Sequence, residues 1–221
     1  MFKALSLRKV TLSVTLLLPL CLTACGKDAS QIDGQAREEP RLTGHVLNGS
    51  ADSPVRIEVF SDLQCPACRE LFIRIIKPLM KEYQDKVSIV YYEFPLSGHQ
   101  YARLAAQYVS AANKLGQKQA LSVYDSIFND QVYWSIDGSL ETSVEKALSA
   151  EDLRKIRKIL QDKASIAEIN ETIDKEYMLG MHKGINATPT MFISNGGREQ
   201  KIEGGTPTYQ VLKQFLDPLV R

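Results

Sequence analysis

The stretch Val55-Arg56-Ile57-Glu58-Val59-Phe60-Ser61-Asp62-Leu63-Gln64-Cys65-Pro66-Ala67-Cys68-Arg69-Glu70 decides the fold. It reads as a strand that runs into a turn and opens a helix. Two cysteines, Cys65 and Cys68, stand at that turn with Pro66 and Ala67 between them. On the first turn of a helix this spacing lets two sulfurs approach within bonding distance. It also puts Cys65 where unpaired backbone N–H groups and the positive end of the helix dipole favour a thiolate. Pro66 suits the first helical position, where its missing N–H has no partner to lose. The stretch therefore reads as a redox-active dithiol.

Working outward, the N-terminus separates from the rest. Met1–Lys9 carries Lys3, Arg8 and Lys9 and no acid, and Val10–Ala24 is mostly apolar but interrupted by Pro19. The run is too short to span a bilayer comfortably. It ends Leu22-Thr23-Ala24-Cys25-Gly26, which resembles the bacterial lipobox, where small residues precede a cysteine that is lipidated. Residues 1–24 are thus expected to be a signal peptide, with Cys25 the lipidation site and residues 25–40 a polar tether. An ordinary secretory signal cut near Ala24 is the competing reading, as is uncleaved anchoring. Each route sends the domain, residues 41–221, out of the cytoplasm.

The chain has 221 residues, 44% hydrophobic, and a formal charge of +1, a balance that speaks against nucleic acid as partner. Of four cysteines, Cys21 would leave with the signal and Cys25 would be acylated. One pair in a tight Cys-x-x-Cys favours chemistry over stapling, because small secreted domains held by disulfides carry several pairs.

After the opening stretch come alternating signals. Leu42–Leu47 is expected as a short leading strand and Val87–Phe94 as the second confident strand. The helix between Val55–Phe60 and Val87–Phe94 carries Leu71, Phe72, Ile75, Ile76, Leu79 and Met80 in a stripe. Pro78 lies inside it and predicts a kink or break. Strand, helix and strand imply a right-handed parallel unit. Residues 99–183 read as helical, with four apolar stripes. Thr190–Ser194 and Gln200–Glu203 pair across Asn195-Gly196-Gly197, and Thr206-Pro207 opens a last helix.

Three motifs now stand together: Phe60-Ser61-Asp62-Leu63-Gln64-Cys65-Pro66-Ala67-Cys68, Phe94-Pro95-Leu96, and Thr188-Pro189-Thr190-Met191-Phe192. With the order of elements, they resemble the DsbA-like form of the thioredoxin superfamily over roughly residues 52–220. The resemblance implies an α/β class, the thioredoxin fold with a helical insertion between the second strand and the cis-Pro strand. It implies a cis Thr188-Pro189 bond facing the dithiol, with Pro66, Ala67, Thr188 and Pro189 forming the loops where an extended substrate docks.

The activity implied is protein thiol:disulfide oxidoreductase, with Cys65 and Cys68 as catalytic residues and no cofactor or metal. The N-terminal thiol is expected below the free value of about 8.5 and above the roughly 3.5 of DsbA, since Ala67 supplies no side-chain donor. Expected partners are thiol- or disulfide-containing proteins, the membrane through an N-terminal lipid, and a DsbB- or VKOR-like membrane protein that reoxidises the pair. Net oxidation is the favoured direction, and reductase or isomerase the alternative. A metal-binding module is the second class, but zinc wants four ligands, leaving Cu(I) as the ion two thiolates could hold.

One departure stands out. Relatives often bury an acid six residues before the first cysteine, and here that position is Val59. Glu58 faces the opposite side of the strand and reads as a proton relay or, equally, as a solvated or salt-bridged side chain. His45, His99 and His182 read as surface or helix-end residues, and Trp134 as packing at the edge of the helical block.

Overall fold

The computed structural model describes residues 44–50, 53–203 and 207–220. The expected signal peptide, Cys25, the tether and Thr206 lie outside them. Five strands form one sheet: β1 (His45–Asn48), β2 (Val55–Ser61), β3 (Val87–Glu93), β4 (Thr190–Asn195) and β5 (Arg198–Glu203). Their order is β1-β3-β2-β4-β5. β2 runs parallel to β3 and antiparallel to β4, so the strand that delivers the two cysteines is central. This order, with the helices lying between β3 and β4 in the chain, is the arrangement that the resemblance implied.

Alternation along β2 sorts its side chains between two faces. Val55, Ile57 and Val59 enter the larger core with Ile89 and Tyr91 of β3, whereas Phe60 joins Val90, Tyr92, Phe94 and Phe192 on the other side. The first face is covered by the helical run after Cys65: α1 (Pro66–Leu71), a π-helical turn over Phe72–Ile76, and α2 (Lys77–Tyr83). Pro78 does not break the run. Its ring crowds the carbonyl four residues back and it has no N–H to give. The chain answers with the wider turn, in which the Lys77 N–H reaches the Phe72 carbonyl.

The insertion holds six helices rather than four: α3 (Ala102–Asn113), α4 (Gln117–Asn129), α5 (Gln131–Asp137), α6 (Leu140–Ala147), α7 (Ala150–Gln161) and α8 (Lys163–His182). The added pair, α5 and α6, are short. α5 also inverts the usual pattern, exposing Val132, Tyr133 and Ile136 while burying Gln131 and Trp134. Trp134 is wholly enclosed, not at an edge, and its indole N–H donates to the Ile127 carbonyl at 2.7 Å.

α8 reaches the second face. Tyr177 stacks on Phe94 at 4.6 Å, and a Cβ on Gly180 would fall 2.6 Å from the Phe94 ring. Glycine is what permits this approach of helix to sheet. The hairpin turns on Gly196 and Gly197, both left-handed. The last helix, α9, runs Tyr209–Leu216, starting later than the sequence implied. Thr208 caps it, its hydroxyl accepting the Val211 N–H at 3.3 Å.

Candidate active site

β2 ends at Ser61, and the Cys65 N–H closes a turn onto the Asp62 carbonyl at 3.0 Å. Cys65 keeps extended backbone angles as the N-cap of α1, and Pro66 opens the helix. β4 pairs antiparallel to β2 with Phe60 opposite Thr190. Residues just before Thr190 therefore lie beside those just after Phe60. This register brings Thr188 and Pro189 to the dithiol. The Cys65 thiol reaches the Thr188 carbonyl at 3.5 Å, and the Thr188–Pro189 bond is cis. The structure thus gathers Cys65, Pro66, Ala67, Cys68, Thr188 and Pro189 at one end of the sheet.

The two sulfurs, both free thiols here, sit in different environments. Cys65 is 8% exposed and Cys68 1%. The Cys65 thiol is held down to about 5, first by a hydrogen bond from the Cys68 thiol, against burial. The Thr188 side chain and the backbone N–H groups of Cys68 and Ala67 add to this. The value falls inside the window that the sequence set. Cys68 moves the other way: burial, then the neighbouring Cys65 sulfur, push it well above the ordinary thiol range.

The insertion braces this loop. Gln131, buried on α5, donates to the carbonyls of Leu63 at 2.7 Å and Cys65 at 3.0 Å. Gln64 accepts the Tyr101 N–H at 2.7 Å and donates to the Ser135 carbonyl at 3.2 Å. Below the loop lies Asp62, whose carboxylate accepts the N–H groups of Gln64 at 2.7 Å and Leu96 at 2.8 Å. Its own N–H points at the Cys68 sulfur, 3.4 Å away.

Two histidines depart from the surface reading. His99 pairs with Asp62 at 2.8 Å, beside the site. His45 is buried, its Nδ1 2.7 Å from the Tyr124 hydroxyl, and burial pushes it down to about 4. His182 alone fits, exposed at the end of α8. The same cluster holds Glu93, 1% exposed, which burial pushes up to about 8 while the Tyr124 hydroxyl, donating to it, pulls it down. An acid inside the apolar run Val87–Phe94 was the available signal for Glu93. Glu58 is the salt-bridged residue of the two readings, 3.0 Å from Arg56 and 3.6 Å from Lys183. No group of three or more His, Cys, Asp or Glu placed to hold a metal occurs among the described residues.

A family model described as thioredoxin matches residues 41–217. A probable disulfide bond formation protein D from Bacillus anthracis is 27% identical over 175 residues, covering 76% of this chain and 75% of that protein. The crystal structure of Pseudomonas aeruginosa DsbA2 superposes with a TM-score of 0.62 at 29% identity, covering 80% of this chain and 94% of that one. Oxidised BdbD from Bacillus subtilis superposes at 0.63 with 18% identity over 80% and 93% of the two chains, a likeness of fold alone. The chain belongs to the thioredoxin family in its DsbA-like form, and is a thiol:disulfide oxidoreductase.

Proposed function

We propose that Cys65 is the attacking and attachment sulfur and Cys68 its buried partner, and that the pair oxidises substrate proteins outside the cytoplasm. One arrangement carries this: Cys65 caps α1, where backbone N–H groups and the Cys68 thiol favour its thiolate, while Cys68 lies enclosed, where burial favours its thiol. A stabilised thiolate favours the reduced pair, and an enzyme whose reduced form is favoured is an oxidant. A substrate thiolate attacks Cys65 of the disulfide, and the electron pair of the broken bond goes to Cys68. A second substrate thiolate then attacks the substrate sulfur of the mixed disulfide and releases Cys65 as thiolate. The substrate leaves oxidised and the pair is left reduced. Pro66, Ala67, Thr188 and Pro189 line the place where an extended substrate strand lies against Cys65.

Residues 1–24 serve as a signal, Cys25 carries a lipid, and residues 25–40 tether the domain to the bacterial envelope. The basic start, the apolar run and the small residues before Cys25 support this. A DsbB- or VKOR-like membrane protein reoxidises the pair. Equilibration of the purified protein with glutathione redox buffers tests the direction. A potential of roughly −120 to −180 mV is expected, and one of about −270 mV overturns oxidation in favour of reduction.

A further inference from the structure

The opening of the disulfide leaves a proton to be found. Cys68 leaves carrying the electron pair, in a place with 1% exposure, and its thiol holds its proton far above neutral pH. Solvent does not reach it directly. Something buried beside it has to supply the proton.

The sheet points to the donor. Ser61 stands opposite Glu93 in the parallel register of β2 and β3. Alternation puts both side chains on the face that carries Val59 and Tyr91, the face on which α1 packs. The Ser61 hydroxyl is buried, has no hydrogen-bond partner of ordinary geometry, and lies against the Cys68 sulfur, whose thiolate it favours. A second buried hydroxyl without a partner, that of Tyr91, lies where it feels both Cys68 and Glu93. Two buried hydroxyls without partners, one on the residue paired with Glu93 in the sheet and next to Cys68, the other within the fields of both groups, are costly unless they serve something.

Glu93 itself is embedded. The Tyr124 hydroxyl of α4 donates to its Oε1, and His45 of β1 stands behind Tyr124 at 2.7 Å. His45 is the one cationisable side chain within ion-pair range of Glu93 among the described residues, at 3.9 Å. Asp62, on the loop after β2, faces Glu93 with like charge. Glu176 of α8 accepts the Glu93 backbone N–H at 2.7 Å. Tyr91, on its own strand, completes the surround and feels Cys68 of α1 as well. An acid placed this way keeps its proton at neutral pH, with a value near 8 set by burial.

We infer that Glu93 is the proton store for Cys68: its carboxyl gives up a proton, relayed by the Ser61 hydroxyl, as the Cys65–Cys68 bond breaks. This rests on the dithiol reading above. The Ser61 proton passes to the Cys68 sulfur and the Glu93 proton replaces it, so Cys68 ends as a neutral thiol; Glu93, left for the moment a carboxylate held by Tyr124, then recovers one proton from solution and is the acid again in the reduced protein. Reoxidation runs the steps backwards: Glu93 first gives its proton up to solution and then takes the one that Cys68 must lose. No charge is left on Cys68 at either end.

The test follows reduction of the oxidised protein by dithiothreitol through Trp134, the single tryptophan. Rates are divided by the thiolate fraction of the reductant. In the unaltered protein the corrected rate should fall as pH rises through about 8, where Glu93 loses its proton. E93Q should be about tenfold or more slower below that pH and should lack the fall, since it has no proton to give. E93D should restore it. Tyr124→Phe should move the fall to higher pH, because the Tyr124 hydroxyl is what pulls Glu93 down.

Parallel profiles for the unaltered protein and E93Q overturn the inference, as does an unmoved fall in Tyr124→Phe if E93Q fails to fold. A purely structural Glu93 would lower the melting temperature and leave the shape of the profile alone. Failure of the unaltered protein to exchange thiols at all would instead overturn the dithiol reading.

Discussion

The two central strands, β2 and β3, carry one carboxylate each, on opposite faces of the sheet, and the two live differently. Glu58 of β2 shares its face with stacked rings, Phe60 on Tyr92 at 4.7 Å. It lies near the rim, where Arg56 and Lys183 reach it. Glu93 of β3 lies under the dithiol, enclosed by tyrosines, where no Lys or Arg pairs with it among the described residues. Burying a charge is tolerated where a cation can follow. Where none follows, the group keeps its proton and becomes able to move one. One face of the sheet thus holds an acid as a structural ion, and the other holds an acid that can titrate.

The largest effects should come from the sulfurs on the titrating side. Cys68→Ser should halt turnover and accumulate a mixed disulfide between Cys65 and the substrate, seen as an added mass that dithiothreitol removes. Cys65→Ser should halt turnover without that adduct, because Cys68 is too enclosed to be attacked. A Cys68→Ser protein that still turns over would sink the assignment of roles.

On the aromatic face the expected effect is on stability alone. Gly180→Ala would push a methyl to within 2.6 Å of the Phe94 ring, so α8 or the ring has to move. Overpacking of this kind costs about 1–3 kcal/mol, read from the urea midpoint. The Cys65 titration, followed by thiolate absorbance, should not shift. If it does, the two faces are not independent.

Much of this division was legible in the sequence, and the reason is local. The Cys-x-x-Cys, Pro66 and the strand before them are fixed by short-range rules, so Val55–Glu70 could be read as strand, turn and helix start. Thr188-Pro189 could be placed only through the resemblance, because its meeting with Cys65 depends on a register set 123 residues away. Asp62, His45, Glu93 and His99 were missed for the same reason in stronger form. Nothing in a lone histidine tells whether its neighbours in space are water or Tyr124. α5 was missed because its apolar residues face outward, against the periodicity that marks a helix.

A smaller effect concerns the potential. Above about pH 5 reduction of the disulfide takes up one proton, because Cys65 stays ionised, and below it two. Cys68 stays protonated throughout. For a two-electron couple the potential should therefore fall by about 59 mV per pH unit below that point and about 30 mV above it. The sign carries into stability. The lowered thiol stabilises the reduced fold above its unfolded value of 9.0, and that margin over the oxidised form is lost as pH falls towards 5. A slope of about 59 mV per unit held through neutral pH would show that Cys65 is not a thiolate there.

The smallest effect should be that of Glu58→Gln, and it tests the comparison most directly. The ions it would leave keep other partners. Arg56 still holds the Tyr92 hydroxyl at 2.9 Å, and Lys183 still pairs with Glu199 at 2.9 Å and lies 4.0 Å over the Phe192 ring. Glutamine keeps an oxygen for Arg56 and fills the same volume. The loss should stay below about 1 kcal/mol, shrinking further in high salt as partly exposed pairs do. The pH profile of disulfide reduction should superpose on that of the unaltered protein, since the side chain points away from Cys68. A profile that moves with Glu58→Gln and not with Glu93→Gln would mean that protons reach the site through the aromatic face, and the roles of the two acids would have to be exchanged.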